Sequence, residues 1–258
     1  MVKLAANLSM MFNEFEFLDR FLRASKSGFK GVEYLFPYDY DKDHLVNLLG
    51  ENGLVQVLYN LPAGDWDGGE RGIACHPDRV GEFKESVGLA VDYASTLGCP
   101  QVNCLAGILP DGVSEINAHK TFVDNLKYAA PIFEKKGTKL IVESINTIDI
   151  PGFFLNNTEQ AKGILNDVGS DNLYLQYDIY HMQIMEGNLA RTIQLNLEVI
   201  SHMQLADNPG RHEPGTGEIN YDFLFQFIDE IGYPGWIGCE YIPGTTTLEG
   251  LSWIDSYI

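Results

Sequence analysis

Leu173-Tyr174-Leu175-Gln176-Tyr177-Asp178-Ile179-Tyr180-His181-Met182 starts as an apolar, strand-like run, breaks off at Asp178 and meets His181 three residues later. A carboxylate at the end of a buried strand is costly to leave unpaired. The stretch therefore demands either a nearby counter-charge or a site. The rest of the chain repeats its design. Short β-branched or apolar runs recur at Leu4–Leu8, Gly31–Leu35, Val55–Asn60, Gln101–Leu105, Lys139–Glu143, Ser201–Leu205 and Trp236–Glu240. Between them, apolar residues fall at helical spacing. In Phe15–Ser27 the stripe is Phe17, Leu18, Phe21, Leu22 and Ala24, and further helices are predicted over Asp43–Asn52, Asp78–Leu97, Ile116–Lys136, Thr158–Val168, Asn188–Val199, Tyr221–Ile231 and Glu249–Tyr257.

Eight strands alternating with helices predict parallel βα units, and eight such units in this length predict an α/β fold, a (β/α)8 TIM barrel formed as one domain over residues 1–258. A doubly wound open sheet would ordinarily open with a Gly-rich turn, and Asn7-Leu8-Ser9-Met10-Met11-Phe12 contains no glycine. Pro77 punctuates the start of the third helix, and Thr246 with Glu249 forms a capping-box pattern at the last. Pro131 is expected to kink or shorten the fourth helix. Residues 61–76 form the longest loop, and Trp66 with Ile73 in it predicts an ordered lid.

The chain has 258 residues and a formal charge of −19. That charge argues against a nucleic-acid partner, whose phosphates require a basic stripe. An anionic ligand would have to be held by a few local cations or by a metal. Four cysteines without CxxC spacing point to reduced thiols and a cytoplasmic location. No signal-peptide core and no long apolar run are found, so no membrane partner is expected. The oligomeric state is open, with a homo-oligomer compatible.

In a barrel of this kind the chemistry sits at the C-terminal strand ends. These read Asn7, Glu33, Asn60, Asn103, Glu143, Asp178, Gln204 and Glu240. Alternation places Glu143 above Ile141, Asp178 above Gln176, Gln204 above His202 and Glu240 above Gly238, each upper member facing the mouth. Three carboxylates and an amide oxygen are the donor set of a hard divalent cation, Mg2+ or Mn2+ before zinc. Glu33 reads instead as an anchor for a neighbouring loop, and His202 as a hydrogen-bonded core imidazole. His44 and His119 fall on helix surfaces, His76 and His212 on loops. His181 can reach substrate oxygens or orient a ligand. Arg71 and Arg211 follow strands on the same face and suit a carboxylate or polyol, with Asp65, Glu70 or Glu213 as competing partners. Glu143 and Glu240, on opposite sides of the mouth, could move a proton between adjacent carbons, with a cation stabilising the enediolate between the steps.

Several strings carry a family resemblance. Ala6-Asn7-Leu8-Ser9-Met10, Asn60-Leu61-Pro62-Ala63-Gly64-Asp65-Trp66, Gly69-Glu70-Arg71-Gly72-Ile73-Ala74, Gln176 to Met182, Ala206-Asp207-Asn208-Pro209 and Glu213 to Tyr221 together resemble the hydroxypyruvate isomerase family from end to end. The resemblance implies a xylose-isomerase-like barrel that interconverts hydroxypyruvate with 2-hydroxy-3-oxopropanoate. It implies Glu143 and Glu240 as the acid/base pair, Glu143, Asp178, Gln204 and Glu240 as metal ligands, and His181 and Arg211 as contacts to substrate oxygens. Arg71 is expected on the substrate carboxylate. Tyr59 departs from the family, which often has His before Asn-Leu-Pro. A sister group acting on four-carbon 2-oxo-tetronates remains an alternative, as do an endonuclease of related fold and a non-catalytic sugar-acid binder.

Overall fold

The computed structural model describes residues 1–257. Eight strands alternate with helices: β1 Lys3–Asn7, β2 Gly31–Glu33, β3 Val55–Leu58, β4 Gln101–Asn103, β5 Lys139–Glu143, β6 Leu173–Asp178, β7 Ile200–Leu205 and β8 Trp236–Cys239. All neighbours are parallel, in the order β3-β2-β1-β8-β7-β6-β5-β4. The ring is closed by a single bridge between Asn60 and Asn103. There the Asn103 N–H donates to the Tyr59 carbonyl at 2.9 Å and the Leu61 N–H donates to the Asn103 carbonyl at 2.8 Å. The barrel expected from the strand–helix alternation is therefore present, with its ladder thinnest between β3 and β4.

The helices are α1 Arg20–Lys26, α2 Lys42–Asn52, α3 Val80–Leu97, α4 Glu115–Glu134, α5 Thr158–Val168, α6 Ile179–Met185, α7 Leu189–Leu195, α8 Tyr221–Glu230 and α9 Thr247–Gly250. Their starts follow side-chain chemistry. Asp41, Ser114, Asn157 and Asn220 each accept a backbone N–H at a helix N-terminus, and Thr246 with Glu249 completes the capping box. Pro131 lies inside α4, which ends three residues later at Glu134. Three expected spans are corrected: the predicted Phe15–Ser27 helix opens as a 3-10 turn over Phe17–Asp19 and becomes α-helical only at Arg20. The last helix breaks after Gly250 into a 3-10 turn, and the predicted Asn188–Val199 helix stops at Leu195. α6 was not anticipated: it starts immediately after Asp178, whose carboxylate caps it.

Two cores follow from the period-two alternation of the strands. Outward side chains pack against the helices in one large cluster that includes Phe21, Phe83, Phe122 and Phe133. Inside the ring, Ala5, Val57, Leu58 and Ile141 form a small apolar plug on which Tyr174 and Trp236 pack. The next layer up is polar: Ala5 gives way to Asn7 on β1 and Ile141 to Glu143 on β5, while β4 and β7 carry Gln101 and His202 inside the ring below Asn103 and Gln204.

Gly238 belongs to this crowded interior, where an added Cβ would overlap the Glu33 carboxylate. Gly238→Ala is expected to lower the unfolding free energy by about 1–3 kcal/mol, the usual cost of overpacking. Urea denaturation checks this, and an unchanged midpoint would contradict the packing described.

Candidate active site

Glu143 and Asp178 are the last residues of β5 and β6, Glu240 follows β8, and His181 lies one turn into α6. One ligand atom from each of the four falls within 4.8 Å of the others. None of the four is more than 5% exposed. Glu143, His181 and Glu240 line a cavity of about 270 Å³ in the barrel mouth, which Trp66 and Arg71 border from the long loop. A wider groove of about 650 Å³ on the flank of the barrel is lined by Leu109, Ile116, Phe153 and Phe154. None of the buried carboxylates reaches it, so the chemistry belongs to the smaller cavity.

Each carboxylate is held by a different device. Asp178 turns Oδ1 to the Tyr180 N–H at 2.8 Å, leaving Oδ2 buried with no hydrogen-bond partner. Glu143 accepts from Asn103 Nδ2 at 2.8 Å. Glu240 accepts from Arg211 Nη2 at 2.6 Å and from Asn7 Nδ2 at 3.3 Å. His181 Nε2 stands 3.5 Å from Asp178 Oδ2 and 4.0 Å from Glu143 Oε1.

Burial dominates the electrostatics. It pushes Glu143 well above the ordinary carboxylate range, and the charges of Glu240 and Asp178 push it further. Asp178 and Glu240 are also raised by burial, against the pull of the Arg211 guanidinium. Burial drives His181 in the opposite direction, far below its usual value, with Arg211 adding to the effect, so the ring is neutral. One guanidinium thus faces three carboxylates, which cannot all be ionised without a second positive charge. The oxygen-rich set and the unpartnered Asp178 Oδ2 fit a hard divalent cation.

The other predicted residues fall into two groups. Arg71 and Arg211 both line the cavity. Arg71 donates to the carbonyls of Trp66 and Glu70 and stacks on the Trp66 ring at 4.2 Å, while the Glu70 carboxylate pairs with Arg79 instead. Gln204 also lines the cavity, giving Nε2 to Glu33 at 2.7 Å and receiving Gln176 Nε2 on Oε1. Glu33 corrects the loop-anchor expectation. It is buried inside the ring and gathers Asn7, Gln204 and His202, the last at 2.7 Å. His202 is the expected core imidazole. Tyr59 turns away from the mouth and donates to the Ala90 carbonyl at 2.6 Å, as strand alternation requires. His76 and His212 bond the carbonyls of Ile108 and Ile242, and His119 meets Asp167 on the surface.

Comparison with known proteins settles the family. A xylose isomerase-like TIM barrel family model matches residues 21–257. The chain belongs to that family. It is 53% identical to hydroxypyruvate isomerase of Escherichia coli, covering all of both chains. It is 43% identical to a 2-oxo-tetronate isomerase of Cupriavidus necator, covering 100% of this chain and 99% of the relative. A Brucella melitensis structure described as an AP endonuclease of family 2 superposes with a TM-score of 0.97 at 44% identity, covering 100% of this chain and 99% of that one.

Sequence reasoning named Asn103 as a strand end and Asp207 within a motif without giving either a role, and passed over Asn146. Each is a polar residue at or just beyond a strand end and almost fully buried, a position where an amide or carboxylate needs partners. Asp207 accepts four backbone N–H groups, from Asn208, Gly215, Gly217 and Ile219, and so shapes the loop that carries Arg211.

Because the three site acids are raised in the fold, they stabilise it below the ordinary carboxylate range, and that contribution is lost as pH rises through their raised values. Chelator-treated protein is therefore expected to lose Tm between about pH 5.5 and pH 8, and added Mn2+ to restore more of it at the upper end, where fewer protons must be displaced. Calorimetry across that range is the check. A cation increment independent of pH, or one that survives Asp178→Asn, would contradict the assignment.

Proposed function

We propose that the protein is an isomerase that interconverts hydroxypyruvate and 2-hydroxy-3-oxopropanoate, working as one barrel domain over residues 1–258. The observation that carries this reading is the convergence of Glu143, Asp178, Glu240, His181 and Arg211 on one buried mouth, in a chain alignable end to end with a hydroxypyruvate isomerase. Glu143, Asp178 and Glu240, with Gln204 beside them, would hold Mg2+ or Mn2+. Such an ion neutralises the carboxylates and polarises the substrate's carbonyl and hydroxyl oxygens.

The remaining work falls to the chain's own side chains. One of the two glutamates takes a proton from C3 of hydroxypyruvate, and the C–H electron pair becomes the C2–C3 double bond while charge moves onto O2. Arg211 and His181 meet that charge with N–H donors. The other glutamate delivers a proton to C2, and the C3 hydroxyl proton passes to O2, leaving an aldehyde at C3. A base is most effective with a pKa near the working pH, and burial moves both glutamates that way. Arg71, stacked on Trp66, offers its guanidinium to the substrate carboxylate.

The four-carbon reading has a specific support in the 43% identity to 2-oxo-tetronate isomerases over the full length. Turnover of hydroxypyruvate against 2-oxo-tetronates, with Mg2+ or Mn2+ added to stripped protein, decides between them. A nucleic-acid substrate is disfavoured by the net charge of −19, which repels phosphodiesters. The four free, buried cysteines support work in a reducing cytoplasm.

Glu143→Gln and Glu240→Gln are each expected to cut kcat by about three orders of magnitude or more with the fold retained, the scale of losing a general acid or base. In D2O the active enzyme should wash deuterium into the carbon-bound positions of hydroxypyruvate, read by NMR. Full activity in either variant, or turnover without wash-in, would end the proton-shuttle reading. Arg71→Ala is expected to raise KM for hydroxypyruvate at least about tenfold, as loss of a charge-assisted contact should. An unchanged KM would remove Arg71 from the carboxylate.

A further inference from the structure

Asn146 lies three residues past β5 and is completely buried. Its Oδ1 accepts the backbone N–H groups of Ile148 at 3.0 Å and Asp149 at 2.7 Å. Its Nδ2 faces Asp149 Oδ2 at 3.1 Å and His181 Nδ1 at 2.7 Å. Two backbone donors can be met only by an oxygen, so the chemistry fixes which end of the amide is which. The NH2 end must then give one hydrogen to Asp149 and the other to His181. A ring nitrogen that accepts carries no hydrogen, which leaves the hydrogen of the neutral imidazole on Nε2. Nε2 is the atom aimed into the carboxylate cluster.

We propose that Asn146 is a positioning residue that fixes the neutral, Nε2-protonated tautomer of His181, so that a hydrogen-bond donor and not a base faces the substrate. The imidazole then cannot compete with Glu143 and Glu240 for the substrate's proton. It can stabilise charge developing on O2 without adding a positive charge beside a cation site. Asp149 makes the arrangement rigid, because its Oδ2 also accepts the Tyr180 hydroxyl at 2.9 Å and so ties the loop after β5 to α6. The identity of the substrate oxygen rests on the isomerase reading. The tautomer does not.

The test uses Mg2+-loaded protein labelled with 15N in histidine, with the His181 signals identified by their disappearance in His181→Gln. Long-range 1H–15N spectra should show the wild-type ring protonated at Nε2 alone. In Asn146→Asp a carboxylate oxygen replaces the NH2 group, so a hydrogen should move onto Nδ1, and kcat for hydroxypyruvate should fall about 100-fold with KM within about threefold, as for a lost oxyanion donor. A wild-type ring protonated at Nδ1 overturns the proposal, and so does an Asp variant that keeps either the wild-type spectrum or the wild-type kcat. If the variant does not fold, the wild-type spectrum alone decides. Should the wild type fail to turn over hydroxypyruvate, the functional reading falls while the spectrum still judges Asn146.

Discussion

Three carboxylates, Glu143, Asp178 and Glu240, converge in the buried mouth of the barrel, and their mutual repulsion is the constraint around which it is arranged. Like charges at such distances, away from water, cannot coexist uncompensated. The chain places Arg211 on Glu240 within 3.9 Å of Asp178, while Arg71, which also lines the cavity, bonds the carbonyls of its own loop. It supplies neutral donors to the rest: Asn103 on Glu143, Asn7 on Glu240, the Tyr180 N–H on Asp178. These offset part of the burial cost and leave the site short of positive charge.

Arg211 reaches this position from a strained backbone. Its φ of 57° lies in the left-handed region, where a residue with a side chain sits at a cost of about 1–3 kcal/mol. Asp207, wholly buried two residues beyond β7, offsets that strain by collecting four N–H groups of the same loop. The Arg211 carbonyl is meanwhile tied to the Ile242 N–H at 2.8 Å, just past Glu240. The loop after β7 and the end of β8 are thereby held in one fixed relation, so the guanidinium meets Glu240 without a search.

The barrel was legible in the sequence from the eightfold alternation of strands and helices, and the carboxylate cluster from the two-residue period of a strand. Ile141 and Glu143 share a face, and knowing that one is core places the other at the mouth. Tyr59, noted in the sequence only as a departure from the family, proves to point away from the mouth by the same rule. What sequence could not resolve depended on contacts between distant segments. Glu33 reads as a loop anchor until His202 and Gln204, about 170 residues away, are brought against it. Asp178 was visible as a carboxylate suited to capping, but α6, the seven-residue helix it caps, is too short for apolar periodicity to register. Asn146 carries no signal of its own, because its meaning lies entirely in the ring it touches.

Asn103 joins two functions in one residue. Its backbone makes the bonds that close the ring between β3 and β4, and its side chain grips Glu143. Elsewhere in the barrel, strand pairing is carried by several residues, whereas here it depends on a single bridge. Local opening at this seam would take a hydrogen bond from the Glu143 carboxylate along with the closing bonds of the ring. Ring closure and the hold on a cavity carboxylate are therefore coupled through one residue, its backbone serving the first and its side chain the second.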